Sequence, residues 1–130
     1  GPYHVERTIR TRNSDSGGVL LDGDASTYWL GEVSRSSREA AVILDLGSAK
    51  PIGDVRWLFA EDDFAGGMRI EVSRGRRQWT TLAESGIAAA GEWQELTLDE
   101  KVEARYVRFV FIAADGVEQA GGLAEVEVWP

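Results

Sequence analysis

The sequence predicts an all-β domain, an antiparallel sandwich or barrel, from three observations. Apolar and polar residues alternate over short segments, those segments recur at near-regular spacing with turn residues between them, and no stretch carries a 3.6-residue apolar period. With 130 residues, 43% of them hydrophobic and 28% charged, the chain has the size and balance of one globular domain with a single core. It contains no internal repeat and no low-complexity run.

The elements follow in order. Ala40-Ala41-Val42-Ile43-Leu44-Asp45-Leu46 is a short apolar run stopped by Gly47 and reads as a strand. Ile52 to Ala60 is the next, with Val55, Trp57 and Phe59 alternating against Asp54, Arg56 and Leu58. Met68, Ile70 and Val72 alternate with Arg69, Glu71 and Ser73; Gly75, between Arg74 and Arg76, breaks the pattern before Trp79 to Leu82 resumes it, which predicts a hairpin. In Trp93 to Leu98, Leu96 and Leu98 share a face. Arg105 to Ala113 places Val107, Phe109 and Phe111 inward and Tyr106, Arg108 and Val110 outward, and the chain closes with Ala124, Val126 and Val128 opposing Glu125, Glu127 and Trp129.

Gly86 to Gly91 has a helix-like Ile-Ala-Ala-Ala centre but is too short for a helix and is expected to be a loop. Gly23 to Glu39, Ala60 to Gly67 and Ala113 to Gly122 do not read as strands. On such folds recognition sits on loops of this kind.

Composition removes several classes of function. Without cysteine there is no disulfide framework, thiolate metal site or cysteine nucleophile. The only histidine, His4, lies near an N-terminus expected to fray, which leaves no His-assisted nucleophile. Glu61 and Asp63 are the residue types that glycoside hydrolysis uses, but neighbouring loop residues do not present an acid and its partner across a cleft, so the domain is expected to bind rather than catalyse.

A formal net charge of −8 opposes phosphate backbones and anionic lipid, so neither nucleic acid nor membrane insertion is expected. No window approaches the ~18 consecutive apolar residues of a membrane span. Gly1-Pro2-Tyr3 lacks an initiator Met and the layout of a signal peptide, and a Gly-Pro start is also left by some tag cleavages. Residues 1–130 are therefore expected to be a single domain cut from a larger multidomain protein, and a monomer.

Five segments carry a further signal. Leu20-Leu21-Asp22-Gly23-Asp24-Ala25-Ser26-Thr27-Tyr28-Trp29 has the form hydrophobic-D-G-D/N-x-x-T-x-W, and Leu44-Asp45-Leu46-Gly47 with Lys50-Pro51 has the form D-L-G-x-x-x-x-I. Ile70-Glu71-Val72-Ser73 with Gly75 and Trp79 is similar to Y-x-I-x-x-S-x-D-G-x-x-W. Ala104-Arg105-Tyr106-Val107-Arg108 reads A-R-Y-V-R, and Leu123-Ala124-Glu125-Val126-Glu127-Val128 matches L-A-E-I-E-V. In this order, over Leu20 to Val128, the set resembles the discoidin family, also called the coagulation-factor type C family.

The resemblance implies an antiparallel jelly-roll β-sandwich of about eight strands, the galactose-binding-domain architecture, with both termini near one end and recognition loops at the other. Many bacterial members of that family belong to carbohydrate-binding module family 32 and are appended to glycoside hydrolases, sialidases and adhesins. Animal members bind lipid head groups, collagen or neuropilin ligands. A secreted or cell-surface setting is implied by the resemblance alone.

The function expected on this basis is a non-catalytic carbohydrate-binding module that holds a parent enzyme or adhesin on a glycan or polysaccharide, with parent-protein domains as its other partners. The alternative is a structural or protein-recognition domain of the same family. Two departures stand out. Leu30-Gly31-Glu32 follows the signature Trp where sugar-binding members often carry His or Ser, which points away from a galactose-type pocket. Ser73-Arg74-Gly75-Arg76 replaces S-x-D-G and loses its Asp.

Asp22, Asp24, Thr27 and Glu125 are hard oxygen donors, and a tight turn at Gly23 would free backbone carbonyls beside them. Calcium takes about six to eight such oxygens. The resemblance implies a structural calcium site built from the side chains of Asp22 and Glu125, the hydroxyl and carbonyl of Thr27, and carbonyls near Leu20, Asp24 and Ala124. The other reading has Asp22 capping its turn and Glu125 pairing with Arg105 or Arg108.

For ligand contact, Trp29, Trp57 and Trp79 are expected in the core, and Trp93 and Trp129 at edges. Phe64 lies between Glu61-Asp62-Asp63 and Ala65-Gly66-Gly67 with no alternating partner, and is the candidate aromatic platform. Arg35 and Arg38, in a Ser-rich stretch, are candidate orienting donors whose guanidinium forks suit sugar hydroxyls or carboxylates; they equally read as balancing Glu32 and Glu39. Glu32, Glu61, Asp62, Asp63, Asp115, Glu118 and Gln119 complete a polar rim, each also readable as solvated surface.

Overall fold

A computed structural model describes residues 1–10, 20–21, 29–33, 37–60, 66–86 and 91–130. Among them run β1 (Arg7–Arg10), β2 (Trp29–Glu32), β3 (Glu39–Phe59), β4 (Gly66–Ser73), β5 (Thr80–Gly86), β6 (Trp93–Ala113) and β7 (Gln119–Trp129). All pair antiparallel. The fold is the antiparallel jelly-roll sandwich that the alternation and the motif order predict.

The two long strands organise it. β3 and β6, 21 residues each, pair with one another over most of their length. The ladder is interrupted where Asp45 to Lys50 opposes only Tyr106 to Ala104. Surplus residues on one strand bend it, and Gly47, at φ 87, takes a left-handed step there that a side chain resists. The bend passes both strands from one layer to the other. One layer has the order β5-β4-β6-β3-β1, using the second half of β6 and the first of β3; the other has the order β2-β7-β3-β6, using the remaining halves. Segments that sequence alternation separates, Ala40–Leu46 from Ile52–Ala60 and Trp93–Leu98 from Arg105–Ala113, are thus halves of two continuous strands.

Between the layers lies the core. Val42, Leu44, Ile52, Val55, Ile70, Val107, Phe109, Phe111, Leu123 and Val128 are fully buried; Val55, Ile70, Val107, Phe109, Phe111 and Val128 lie on the inward phases that alternation assigns, whereas Ile52 and Leu123 lie on the opposite parity. The layers meet ring on ring: Trp57 against Phe109 with centroids at 6.1 Å, Phe59 against Phe111 at 6.4 Å, and Trp29 against Phe111 at 5.6 Å. Edge-to-face and tilted pairs of this kind add to the burial of the rings themselves.

Four differences from the sequence expectations have physical causes. β2 lies inside the stretch Gly23 to Glu39 that showed no strand signal; four residues with a glycine among them are too few for alternation to register. β7 starts at Gln119 rather than beyond Gly122, because its Gly121 and Gly122 pair with Gly31 and Leu30. Trp79 is half-buried on the outer face, not in the core, with the Arg108 guanidinium 3.8 Å above its ring. Tyr106, Val110 and Glu71 are buried on the outward phase, where arginine stems cover the sheet: Arg76 and Arg105 lie over Tyr106, and Arg108 Nε donates to Glu71 at 2.9 Å.

The bent end of the sandwich also carries both termini. The Tyr3 amide donates to the Val128 carbonyl at 2.7 Å and the Tyr3 hydroxyl to the Pro51 carbonyl at 2.6 Å. A Cβ on Gly53 would lie 3.1 Å from the Pro130 backbone. His4, expected on a frayed tail, is exposed but sits between the anchored Tyr3 and the buried Val5.

Candidate functional site

At the opposite end, the strand ends of both layers converge. Gly31 makes the approach possible: a Cβ there would lie 2.7 Å from that of Ala40 and 3.2 Å from Trp29 Cη2, so only glycine lets β2 close over β3. At Gly66, φ 137, a Cβ would collide with the Ile112 carbonyl oxygen, so glycine is required where β4 meets β6. Beneath them Trp29, the signature tryptophan, is 1% exposed, a core residue that supports this end rather than a contact on it.

Four of the sequence-derived ligand residues come together here. Glu32 and Gln119 are cross-strand partners in the β2–β7 ladder, which places Gln119 on a strand and not in a loop. The Val33 amide extends the pairing to the Glu118 carbonyl at 2.9 Å. Arg38 Nη2 donates to the carbonyls of Ala114 and Val117, each at 2.6 Å, while the Arg38 carbonyl accepts from the Ala113 amide at 2.9 Å. Its fork therefore clamps the turn that presents the exposed Asp115.

Arg35, Glu61, Asp62, Asp63 and Phe64 lie outside the described residues. The residues flanking 61–65 belong to this end: the Ala60 amide donates to the Gly122 carbonyl at 3.2 Å, and Gly66 pairs with Ala113. Trp93, at the start of β6 opposite Leu58, is 46% exposed, an edge residue as its sequence position suggests.

The corner expected to hold calcium is partly described. Leu20 is buried. In the β3–β7 ladder Leu58 pairs with Glu125 and Phe59 with Leu123, so β3 skips Ala124. A bulged residue is left out of the ladder on that side. The half-buried Glu125 carboxylate has no hydrogen-bond or ion-pair partner among the described residues. The arginines that could have neutralised it are engaged elsewhere, Arg105 with Asp45 and Arg108 with Glu71. A half-buried carboxylate beside a bulged backbone fits one edge of a calcium shell. Asp22, Asp24 and Thr27 lie outside the described residues, and among the described ones no group of three or more His, Cys, Asp or Glu forms a metal cluster.

The strongest electrostatic feature lies at the other end, where the second and fourth motifs meet. Asp45, 1% exposed, accepts from Arg105 Nε at 2.9 Å and Nη2 at 3.1 Å, from Arg7 Nε at 2.8 Å, and from the Gly47 amide at 2.8 Å. The bond from Arg105, aided by those from Arg7 and Gly47, holds the Asp45 carboxyl well below the usual carboxylate range, against the opposing pull of desolvation. This cluster ties β1, the bend in β3 and the bend in β6 together, and is structural.

Comparison with known proteins places this geometry. The sequence profile of the F5/8 type C domain matches residues 8–126. BTB/POZ domain-containing protein 9 of Homo sapiens is 30% identical over 109 residues, which cover 82% of this chain and 17% of that protein. Among solved structures, the CBM32 of AlyQ in complex with 4,5-unsaturated mannuronic acid superposes with a TM-score of 0.80 at 19% identity, over 99% of this chain and 98% of that one. Chitosan-binding module 1 from a chitosanase/glucanase of Paenibacillus sp. IK-5 superposes with a TM-score of 0.79 at 20% identity, over 100% and 99%. At these identities the solved structures establish a shared fold.

Proposed function

This chain belongs to the F5/8 type C domain family, and from that premise we propose that it is a non-catalytic carbohydrate-binding module that holds a parent protein on a glycan through the end of the sandwich where Glu32, Arg38, Asp115 and Gln119 converge. The observation that carries this reading is the division of labour between the two ends. Most strand residues are committed to the core or the ladders, whereas this end brings the backbones of Glu32 and Gln119 beside the exposed Asp115, with Arg38 holding the Ala114–Val117 turn in place. The similarity in fold to a CBM32 bound to an unsaturated mannuronic acid and to a chitosan-binding module supports the same reading.

In this proposal Phe64 is the apolar platform, Arg35 an orienting donor, and Glu61, Asp62 and Asp63 part of the rim. Calcium, held by Glu125, the Ala124 and Leu20 carbonyls, and Asp22, Asp24 and Thr27, joins the early loop to the last strand. The ion would supply a structural clamp; the chain's own residues contact the sugar. A glycan-array screen with and without calcium tests the function, and a folded Phe64→Ala variant should lose detectable binding to the glycan identified. Undiminished binding by that variant would place the platform elsewhere.

A second reading, a protein-recognition domain, is favoured by one finding: the chain matches a small part, 17%, of a much larger BTB/POZ domain-containing protein. An array with no binder, together with capture of a partner domain that Asp115→Arg abolishes, would establish it instead.

A further inference from the structure

The end opposite the proposed glycan site carries a cleft of about 590 Å³ between the β4–β5 hairpin and the bend of β6. Small-molecule sites fall in the range of roughly 300–1,000 Å³. Its floor is apolar, with Val72 and Ala104 buried and Val102 half-buried. Arg74, Arg77 and Gln78 wall it, all exposed. In a chain of net charge −8, the hairpin places three arginines within four positions, Arg74, Arg76 and Arg77.

The cleft is rich in donors that lack acceptors. Arg77 has no hydrogen-bond or ion-pair partner among the described residues. Ser73 Oγ accepts from the amides of Gly75 at 3.3 Å and Arg76 at 2.8 Å, which occupies both of its lone pairs and leaves its proton to donate. Arg74 faces one carboxylate at the rim, that of Glu103, at 3.5 Å, and both side chains are more than half exposed. A carboxylate thus already stands where an incoming one would bind, loosely enough to be displaced.

A second, independent observation marks this loop. Arg76 sits at φ 66, a left-handed conformation that side chains resist, although Gly75 stands one residue earlier and does not take it. The conformation lays the Arg76 guanidinium over the Tyr106 ring and turns the hairpin around the cleft. Backbone strain of this kind concentrates at functional sites.

We propose that the cleft between Ser73–Thr80 and Val102–Ala104 is a second ligand site, specific for a carboxylate-bearing sugar residue, in which Arg74 and Arg77 hold the carboxylate while Val72 and Ala104 underlie the ring. The carboxylate follows from the donors alone; the sugar rests on reading the chain as a carbohydrate-binding module. An acidic sugar supplies an acceptor for the two guanidiniums and hydroxyls for Gln78 and Ser73.

Amide chemical shifts in two-dimensional NMR, recorded while adding trigalacturonate, its methyl ester or a tetraglutamate peptide at low salt, read the two ends of the molecule separately. Trigalacturonate should perturb Val72–Thr80 and Val102–Ala104, and the neutral ester should not. Arg77→Glu and Arg74→Glu should each weaken binding at least tenfold with unchanged melting temperature, and Glu103→Gln should tighten it about threefold. Lys101→Glu, outside the cleft on the same strand, should change it less than twofold. Equal weakening by Lys101→Glu, equal binding of the ester, or perturbations confined to the opposite end would each overturn the site. Tighter binding of tetraglutamate would overturn the sugar assignment while leaving the carboxylate site, and failure of the loop-end glycan site would alter none of these results.

Discussion

Asp45 and Arg105, sixty residues apart in the chain, are joined by two parallel hydrogen bonds, Nε to Oδ1 at 2.9 Å and Nη2 to Oδ2 at 3.1 Å. Both belong to sequence motifs, D-L-G and A-R-Y-V-R, that show no relation to each other when read along the chain. In the fold they are the two sides of one bend.

Replacing Asp45 with Asn should destabilise the domain by roughly 2–4 kcal/mol, toward the low side for a broken buried pair because both guanidiniums reach solvent. The pH dependence has a definite sign. The folded carboxyl titrates below its unfolded value of ~3.9, so its stabilisation is complete above about pH 4 and fades as the pH falls further. Urea melts at pH 7 and pH 3 should show a larger loss on acidification in the native chain than in Asp45→Asn. Parallel losses would mean that this carboxylate does not carry the acid response.

Truncating Phe109 or Trp57 to Ala should cost about 3–5 kcal/mol each. Phe109 is 0% exposed and the two rings touch across the layers with centroids at 6.1 Å, so the double variant should lose less than the sum of the single ones. Equilibrium denaturation of the four chains measures both the magnitude and the coupling.

At Arg76, with φ 66, the informative comparison is Gly against Ala. Both substitutions remove the guanidinium over Tyr106, and only glycine relieves the backbone. Arg76→Gly should be more stable than Arg76→Ala by about 1 kcal/mol, despite the extra freedom glycine gives the unfolded chain. A more stable alanine variant would contradict the left-handed turn.

Adding calcium to metal-free protein should raise its melting temperature, since the unfolded chain cannot assemble the donors; at a hundredfold excess over Kd the gain is about 2.7 kcal/mol. Glu125→Gln should abolish the gain while leaving the metal-free melt nearly unchanged. If melting is the same with calcium and with EGTA, no such site exists.

The inward phases of Val107, Phe109 and Phe111, and of Val55, Trp57 and Phe59, were legible because burial imposes a period of two on a strand. The continuity of β3 and β6 was not: the bend at Gly47 resembles a loop in sequence and becomes strand only through long-range pairing with Ala104 to Tyr106. Trp79 misled for a related reason, since what covers it, Arg108, lies on another strand. At the candidate site, Glu32, Asp115 and Gln119 could be found as polar residues of segments that do not read as strands, although Glu32 and Gln119 prove to pair in a ladder. The clamp made by Arg38 could not, because its acceptors are backbone carbonyls 76 and 79 residues away. The basic cleft left one trace, three arginines crowded into the β4–β5 turn of an acidic chain.

The folding-over of β3 and β6 has a mechanical consequence. Because the same two strands serve both sheets, neither sheet can leave the core as a whole without dragging its counterpart. The termini and the proposed glycan end lie at opposite ends of these strands, so a load applied at the termini enters the fold away from the proposed contacts.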